Sequence, residues 1–119
     1  MTYTTEITEN VLRLSLSGDL TGAYDMQKLL AEVDIIIGQG VLLCVVDISQ
    51  VRYFSSTGIN LLTTLLAKFR TRGGELVLTR PSEQVKKLLI VTKLTSIFSI
   101  VEDQAEGITK LKSEPEEEE

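Results

Sequence analysis

Between Val11 and Ser17 the chain alternates, with Leu12, Leu14 and Leu16 on one side of the pattern and Arg13, Ser15 and Ser17 on the other. A period of two describes a strand with one buried face. Tyr3 to Ile7 reads as a shorter strand before it, and Glu9-Asn10 is the two-residue turn that makes the pair a hairpin. After Gly18-Asp19-Leu20-Thr21-Gly22 the period changes. Ala23, Met26, Leu29, Leu30, Val33, Ile36 and Ile37 recur at three and four, the spacing of an amphipathic helix, and Gly38-Gln39-Gly40 ends it.

Val41 to Ile48 is continuously apolar up to Asp47, which predicts a central strand covered on both faces and lying in the middle of a sheet. A short loop then leads to Ser55-Ser56-Thr57-Gly58. A second helical stripe follows in Ile59, Leu62, Leu65, Leu66 and Phe69, stopped by Arg70-Thr71-Arg72-Gly73-Gly74. Glu75 to Thr79 is a further strand. Pro81-Ser82-Glu83 opens a third helix with Pro in its first turn, and Val85, Leu88, Leu89 and Thr92 share one side of it. Ser96 to Val101 is a last strand. Asp103-Gln104-Ala105-Glu106 has the spacing of a capping box for a short helix to about Leu111, and the acidic stretch from Ser113 onward is too poor in apolar residues to pack.

Strands alternating with helices after an opening hairpin imply right-handed crossovers. The expected fold is α/β: a mixed sheet of about five strands, mainly parallel, with about four helices. Residues 1–112 form one domain and residues 113–119 an acidic tail. In such sheets the loops at the C-terminal ends of the strands gather the helix N-termini, so partners or ligands are expected beyond Val46-Asp47.

Composition narrows the chemistry. The chain has 119 residues, no His, and a single cysteine, Cys44, set in an apolar run where a small thiol packs as a hydrophobe. Without His there is no Ser-His-Asp or Cys-His arrangement, and the commonest zinc and copper ligand is missing; no cofactor or metal is expected. Gly38-Gln39-Gly40 and Gly73-Gly74 lack phosphate-loop spacing and read as helix terminators with positive φ. The formal charge of −5 is carried entirely by the five glutamates at Glu114 and Glu116 to Glu119. The 12 Lys and Arg residues are scattered, so no direct nucleic-acid binding is expected. The N-terminus lacks the pattern of a secretory signal, and no apolar run reaches the roughly 20 residues of a membrane span. A cytoplasmic protein without membrane insertion, monomeric or weakly dimeric, is the expectation.

One segment stands apart. Tyr53-Phe54-Ser55-Ser56-Thr57-Gly58-Ile59 places three consecutive hydroxyl residues where a helix opens, and such side chains cap free backbone N–H groups. A phosphate there would add about −1.5 to −2 charges beside the positive end of the helix dipole. Val46-Asp47-Ile48-Ser49, Val51, Phe54 and Ser56-Thr57-Gly58-Ile59 together resemble the STAS signature, a strand ending in Asp-Leu-Ser that leads to Asp-Ser-Ser/Thr-Gly-Leu. Gly18-Asp19-Leu20 and Gly73-Gly74-Glu75-Leu76-Val77-Leu78 are also similar to family motifs. The resemblance spans Tyr3 to Leu111. It departs at Ser55, where the family carries Asp, and at Thr21, where an acid often follows.

This resemblance to the bacterial anti-sigma factor antagonists implies a non-enzymatic regulator of transcription. It would bind an anti-sigma factor with serine kinase activity and be switched by phosphorylation at Ser56. The implied docking residues are Asp19, Leu20, Thr21, Ser55, Ser56, Thr57, Gly58 and Ile59. A non-switching scaffold, or a subunit of a transporter, uses the same surface with Ser56 as an ordinary cap. An enzyme ranks third, since no carboxylate pair stands out. Asp47, at the end of a buried strand, is expected to accept hydrogen bonds from loop N–H groups.

Overall fold

The structure, a computed structural model, describes residues 1–21 and 23–102. A five-stranded sheet is built from β1 (Thr2–Thr8), β2 (Val11–Leu20), β3 (Leu43–Phe54), β4 (Glu75–Thr79) and β5 (Ser99–Val101), in that spatial order. β1 and β2 pair antiparallel, and every other neighbouring pair is parallel. The helices are α1 (Ala23–Gly38), α2 (Ser56–Thr71) and α3 (Glu83–Val91), with a short 3₁₀ turn at Leu94–Ser96. The expected mixed sheet with β3 at its centre is therefore present. The fourth expected helix and the acidic tail lie outside the described residues. No described helix is long and apolar enough to cross a membrane.

The hairpin turn sits at Glu9 and Asn10, with φ of 54° and 65°. Two successive positive φ values give the mirror-image turn whose twist matches that of the flanking strands. Alternation then decides the faces. Leu12, Leu14 and Leu16 of β2, Cys44, Val46 and Ile48 of β3 and Leu76 and Leu78 of β4 meet the buried stripes of α1, α2 and α3 in one cluster. On the opposite face Val11, Val45, Val77 and Val101 form a second, smaller one.

Several boundaries differ from the sequence pattern: β2 runs past Ser17 to Leu20 and β3 starts at Leu43 instead of Val41, and three further differences have a clear local cause. β3 does not stop at Ile48 but runs on to Phe54, because its pairing with β2 shifts register twice: Ser15 faces Asp47, Ser17 faces Gln50, Gly18 faces Val51 and Asp19 faces Tyr53. Each shift inserts an extra residue in β3. The buried positions then fall at Ile48, Val51 and Phe54, a spacing of three that no longer looks like a strand. α3 starts one residue after its cap: Ser82 Oγ accepts from Val85 N at 3.2 Å, so Pro81 precedes the cap instead of lying in the first turn. The last strand shrinks to three residues because Leu94–Ser96 closes a 3₁₀ turn anchored by buried Leu94 and Phe98.

Cys44 is fully buried, and burial pushes its thiol well above the ordinary value. The folded chain therefore keeps the proton after the unfolded chain has begun to lose it. Stability from this group is complete below the unfolded thiol's value of about 8.5, and falls by about 1.4 kcal/mol per pH unit above it. Urea unfolding of the wild type and Cys44→Ala between pH 7 and pH 10 should show that extra alkaline loss in the wild type alone. Equal pH slopes would mean that the thiol reaches solvent in the folded state.

Candidate partner-docking site

The extension of β3 carries the chain to the same end of the sheet as the end of β2. Leu20 pairs with Phe54, and the N–H of Ser55 donates to the carbonyl of Leu20 at 3.3 Å. Strand end and helix start are thus joined directly. Ser55 is the N-cap of α2, with an extended backbone, and its Oγ accepts from Thr57 N at 3.2 Å while its carbonyl accepts from Ile59 N at 2.9 Å. Loss of such a cap costs about 1 kcal/mol. Ser55 occupies the place of the family's acid, and the capping bond is what that position supplies here.

Ser56 is the first residue of α2 and is exposed. Its hydroxyl has no hydrogen-bond partner among the described residues. The first turn of α2 contains no acidic residue, so the positive end of its dipole is not offset locally. Asp19 and Thr21 are exposed beside it at the end of β2, where Asp19 Oδ1 lies 3.4 Å from Arg52 Nε. That ion pair is open to water and contributes at most about 1 kcal/mol.

The eight expected docking residues separate into a surface and a floor. Asp19, Thr21 and Ser56 face solvent, and Ser55, Thr57 and Ile59 are half-buried. Leu20 and Gly58 are buried, and both belong to the joint between β2 and α2. A Cβ on Gly58 would collide with the carbonyl oxygen of Leu20 and come within 2.6 Å of Phe54 Cβ. Glycine here permits close approach and offers nothing to a partner.

Three features escape the sequence pattern. Arg52 and Tyr53 join this end only because β3 is longer than its apolar run suggests; Tyr53 is 45% exposed. Thr57 also opens onto a groove of about 160 Å³ between α1 and α2, lined further by Met26, Leu30, Asn60 and Leu61. Asp47 accepts a backbone N–H as expected, but the donor, Ser49 N at 2.8 Å, lies within β3 at its first register shift and not in a loop. Among the described residues no group of three or more Cys, Asp or Glu side chains could hold a metal ion.

A family model described as "Mlab, STAS domain" matches residues 3–102. The chain belongs to the STAS family. Solved structures agree on the fold. A Thermotoga maritima protein described provisionally as an anti-sigma factor antagonist superposes with a TM-score of 0.82 at 20% identity, over 92% of this chain and 94% of that one. SpoIIAA of Bacillus, an anti-sigma factor antagonist solved in its unphosphorylated form, gives 0.74 at 17%, over 94% and 99%. A sulfate transporter family protein from Wolinella succinogenes also gives 0.74, at 14%, over 90% and 88%. No curated protein matches the chain. The STAS domain therefore shares its fold with regulators and with part of a transporter family, so the division between those roles must come from its own surface.

Proposed function

We propose that this STAS domain is a cytoplasmic partner-switching regulator of the anti-sigma factor antagonist kind, with no catalytic activity of its own. Its unphosphorylated face, formed by Asp19, Thr21 and the first turn of α2, binds an anti-sigma factor that is also a serine kinase. The observation that carries this reading is the position of Ser56, exposed at the first residue of α2 with no side-chain hydrogen bond to lose among the described residues. A phosphate added there keeps the Ser55 cap intact and sits against the helix dipole, so the fold tolerates it. A docked partner does not, because it would have to desolvate a dianion. A serine with a structural cap role would be the wrong residue for this, and that role belongs to Ser55.

The second reading, a constitutive subunit of a transporter complex, is favoured by the likeness to the Wolinella protein and by the groove beside Thr57. One experiment separates them. Wild-type, Ser56→Ala and Ser56→Asp baits are incubated with native extract, and the bound proteins and any phosphopeptide are identified by mass spectrometry. A soluble ATP-binding kinase retained by wild type and Ser56→Ala, and reduced at least about tenfold by Ser56→Asp, a loss of about 1.4 kcal/mol, establishes the switch. Equal capture of a membrane transport complex by all three baits establishes the second reading.

A further inference from the structure

We propose that the elbow formed by the end of α3, the 3₁₀ turn and β5 is a second docking surface, whose occupant is an acidic amphipathic helix of a partner protein. This surface is separate from the Ser56 face. α3 starts where β4 ends and runs back along the sheet, so its last turn lies at the end where the parallel strands begin, opposite the β3–α2 joint.

Three large aliphatic side chains are exposed there: Ile90 at 63%, Val91 at 78% and Ile97 at 43%. Single exposed aliphatics need no explanation, but three on one elbow form a patch. Beside them is a notch of about 180 Å³ lined by Lys86, Leu89, Ile90, Thr95 and Ile100. The buried Leu94 and Phe98 hold the turn in place beneath it, with Phe98 N donating to the carbonyl of Leu94 at 2.9 Å. An apolar notch on a turn held by buried residues receives one side chain, which suits a helix that projects a Leu or Phe better than it suits a flat lipid surface.

Among the described residues, the charges on the last turns of α3 and at the start of the 3₁₀ turn are those of lysines. Lys86 lines the notch, and Lys87 of α3 and Lys93, just before the 3₁₀ turn, are exposed, whereas Glu83, the acid of α3, is in the first turn of the helix. Lys86 reaches Glu83 only at 3.6 Å, in a pair open to water, and Lys87 and Lys93 make no ion pair among the described residues. Lys93 also adopts φ of 63°, in the left-handed region that favours glycine. An exposed lysine kept in that conformation beside the 3₁₀ turn adds a cation that the partner's carboxylates would complement.

The test titrates the isotopically labelled full chain with a synthetic peptide of about 18 residues, Leu at helical spacing and Glu elsewhere, and follows chemical shifts by NMR. A matched peptide with Lys for Glu and vesicles of anionic lipid are titrated alongside. Saturable shifts confined to Ile90, Val91, Ile97 and Ile100 are expected with the acidic peptide alone. Ile90→Ser/Val91→Ser and Lys86→Gln/Lys87→Gln/Lys93→Gln should each weaken binding at least tenfold, and these exposed positions leave the fold intact. Ser56→Asp should leave it unchanged, so this surface stands or falls independently of the switch. Absence of saturation, shifts in the α1–α2 groove, equal binding of the basic peptide, vesicle binding in place of peptide binding, or self-association through Ile90 and Val91 would each overturn the proposal.

Discussion

Gly58→Ala is expected to destabilise the protein by about 2 kcal/mol and to reduce partner capture even where the variant remains folded. Alanine favours a helix over glycine by about 1 kcal/mol, so propensity alone predicts a gain. The packing reverses the sign. The new Cβ would strike the carbonyl oxygen of Leu20, 2.6 Å from Phe54 Cβ and 2.9 Å from Leu20 Cβ. None of these atoms is the free end of a flexible side chain, and overpacking against such neighbours costs about 3 kcal/mol. Relief requires the first turn of α2 to lift away from the end of β2, which opens the Ser55 N–H bond to Leu20 and moves Ser56 away from Asp19 and Thr21. Gly38→Ala is the internal control: no atom lies within 4 Å of its Cβ, so propensity acts unopposed and about 0.5–1 kcal/mol of stabilisation is expected. Urea denaturation of the two variants checks the opposite signs. A stabilised Gly58→Ala would show that strand end and helix start are less tightly joined than their geometry requires.

The same joint bears on how a fold shared with both regulators and a transporter family protein would carry the proposed switch. Leu20, Phe54 and Gly58 fix where the first turn of α2 sits, and Ser55 satisfies its free N–H group. Those four residues hold the joint, and the Ser56 hydroxyl makes no hydrogen bond among the described residues. A modification there changes the surface without changing the scaffold, which is what a reversible regulator needs and a permanent subunit does not.

What the sequence discloses is whatever obeys a simple period or a local rule. The hairpin follows from alternation and from Glu9-Asn10, and the stripes of α1 and α2 from spacings of three and four. β3 beyond Ile48 was hidden because two register shifts move the inward positions to Val51 and Phe54. That concealed Arg52 and Tyr53 as members of the proposed docking end. The hydroxyl cluster was legible, but its division of labour was not: the Ser55 Oγ bond to Thr57 N shows which serine caps. Surface features set by tertiary packing, such as the Ile90–Val91–Ile97 elbow, leave no periodic trace, because their neighbours come from α3, the turn and β5 together.

The adjacent glycines that end α2 are expected to respond very differently to alanine, with Gly74→Ala costing about 3 kcal/mol and Gly73→Ala about 1 kcal/mol. Sequence pattern assigns both the same duty, a helix stop with positive φ. Gly73 performs it, with φ of 83° and no atom within 4 Å of a Cβ, so alanine there meets only the backbone preference. Gly74 does not share that φ. Its constraint is space: a Cβ would strike the carbonyl oxygen of Leu42 and approach the Leu42 carbonyl carbon to 2.8 Å. This is where the chain leaving α2 passes over the start of β3. Gly74 N donates to Phe69 O at 2.7 Å, and Glu75 N to Leu42 O at 3.0 Å, so the crossing sets the first rung between β3 and β4. The Arg70–Glu75 ion pair across the same turn, at 3.0 Å, is exposed enough to contribute at most about 1 kcal/mol and cannot hold the crossing alone. An alanine at Gly74 must push two backbones apart, and both belong to the parallel core of the sheet. Thermal and urea unfolding of the two variants decide the matter: comparable losses would mean that the close approach relaxes at little cost, and that conformation, not space, is the requirement at both positions.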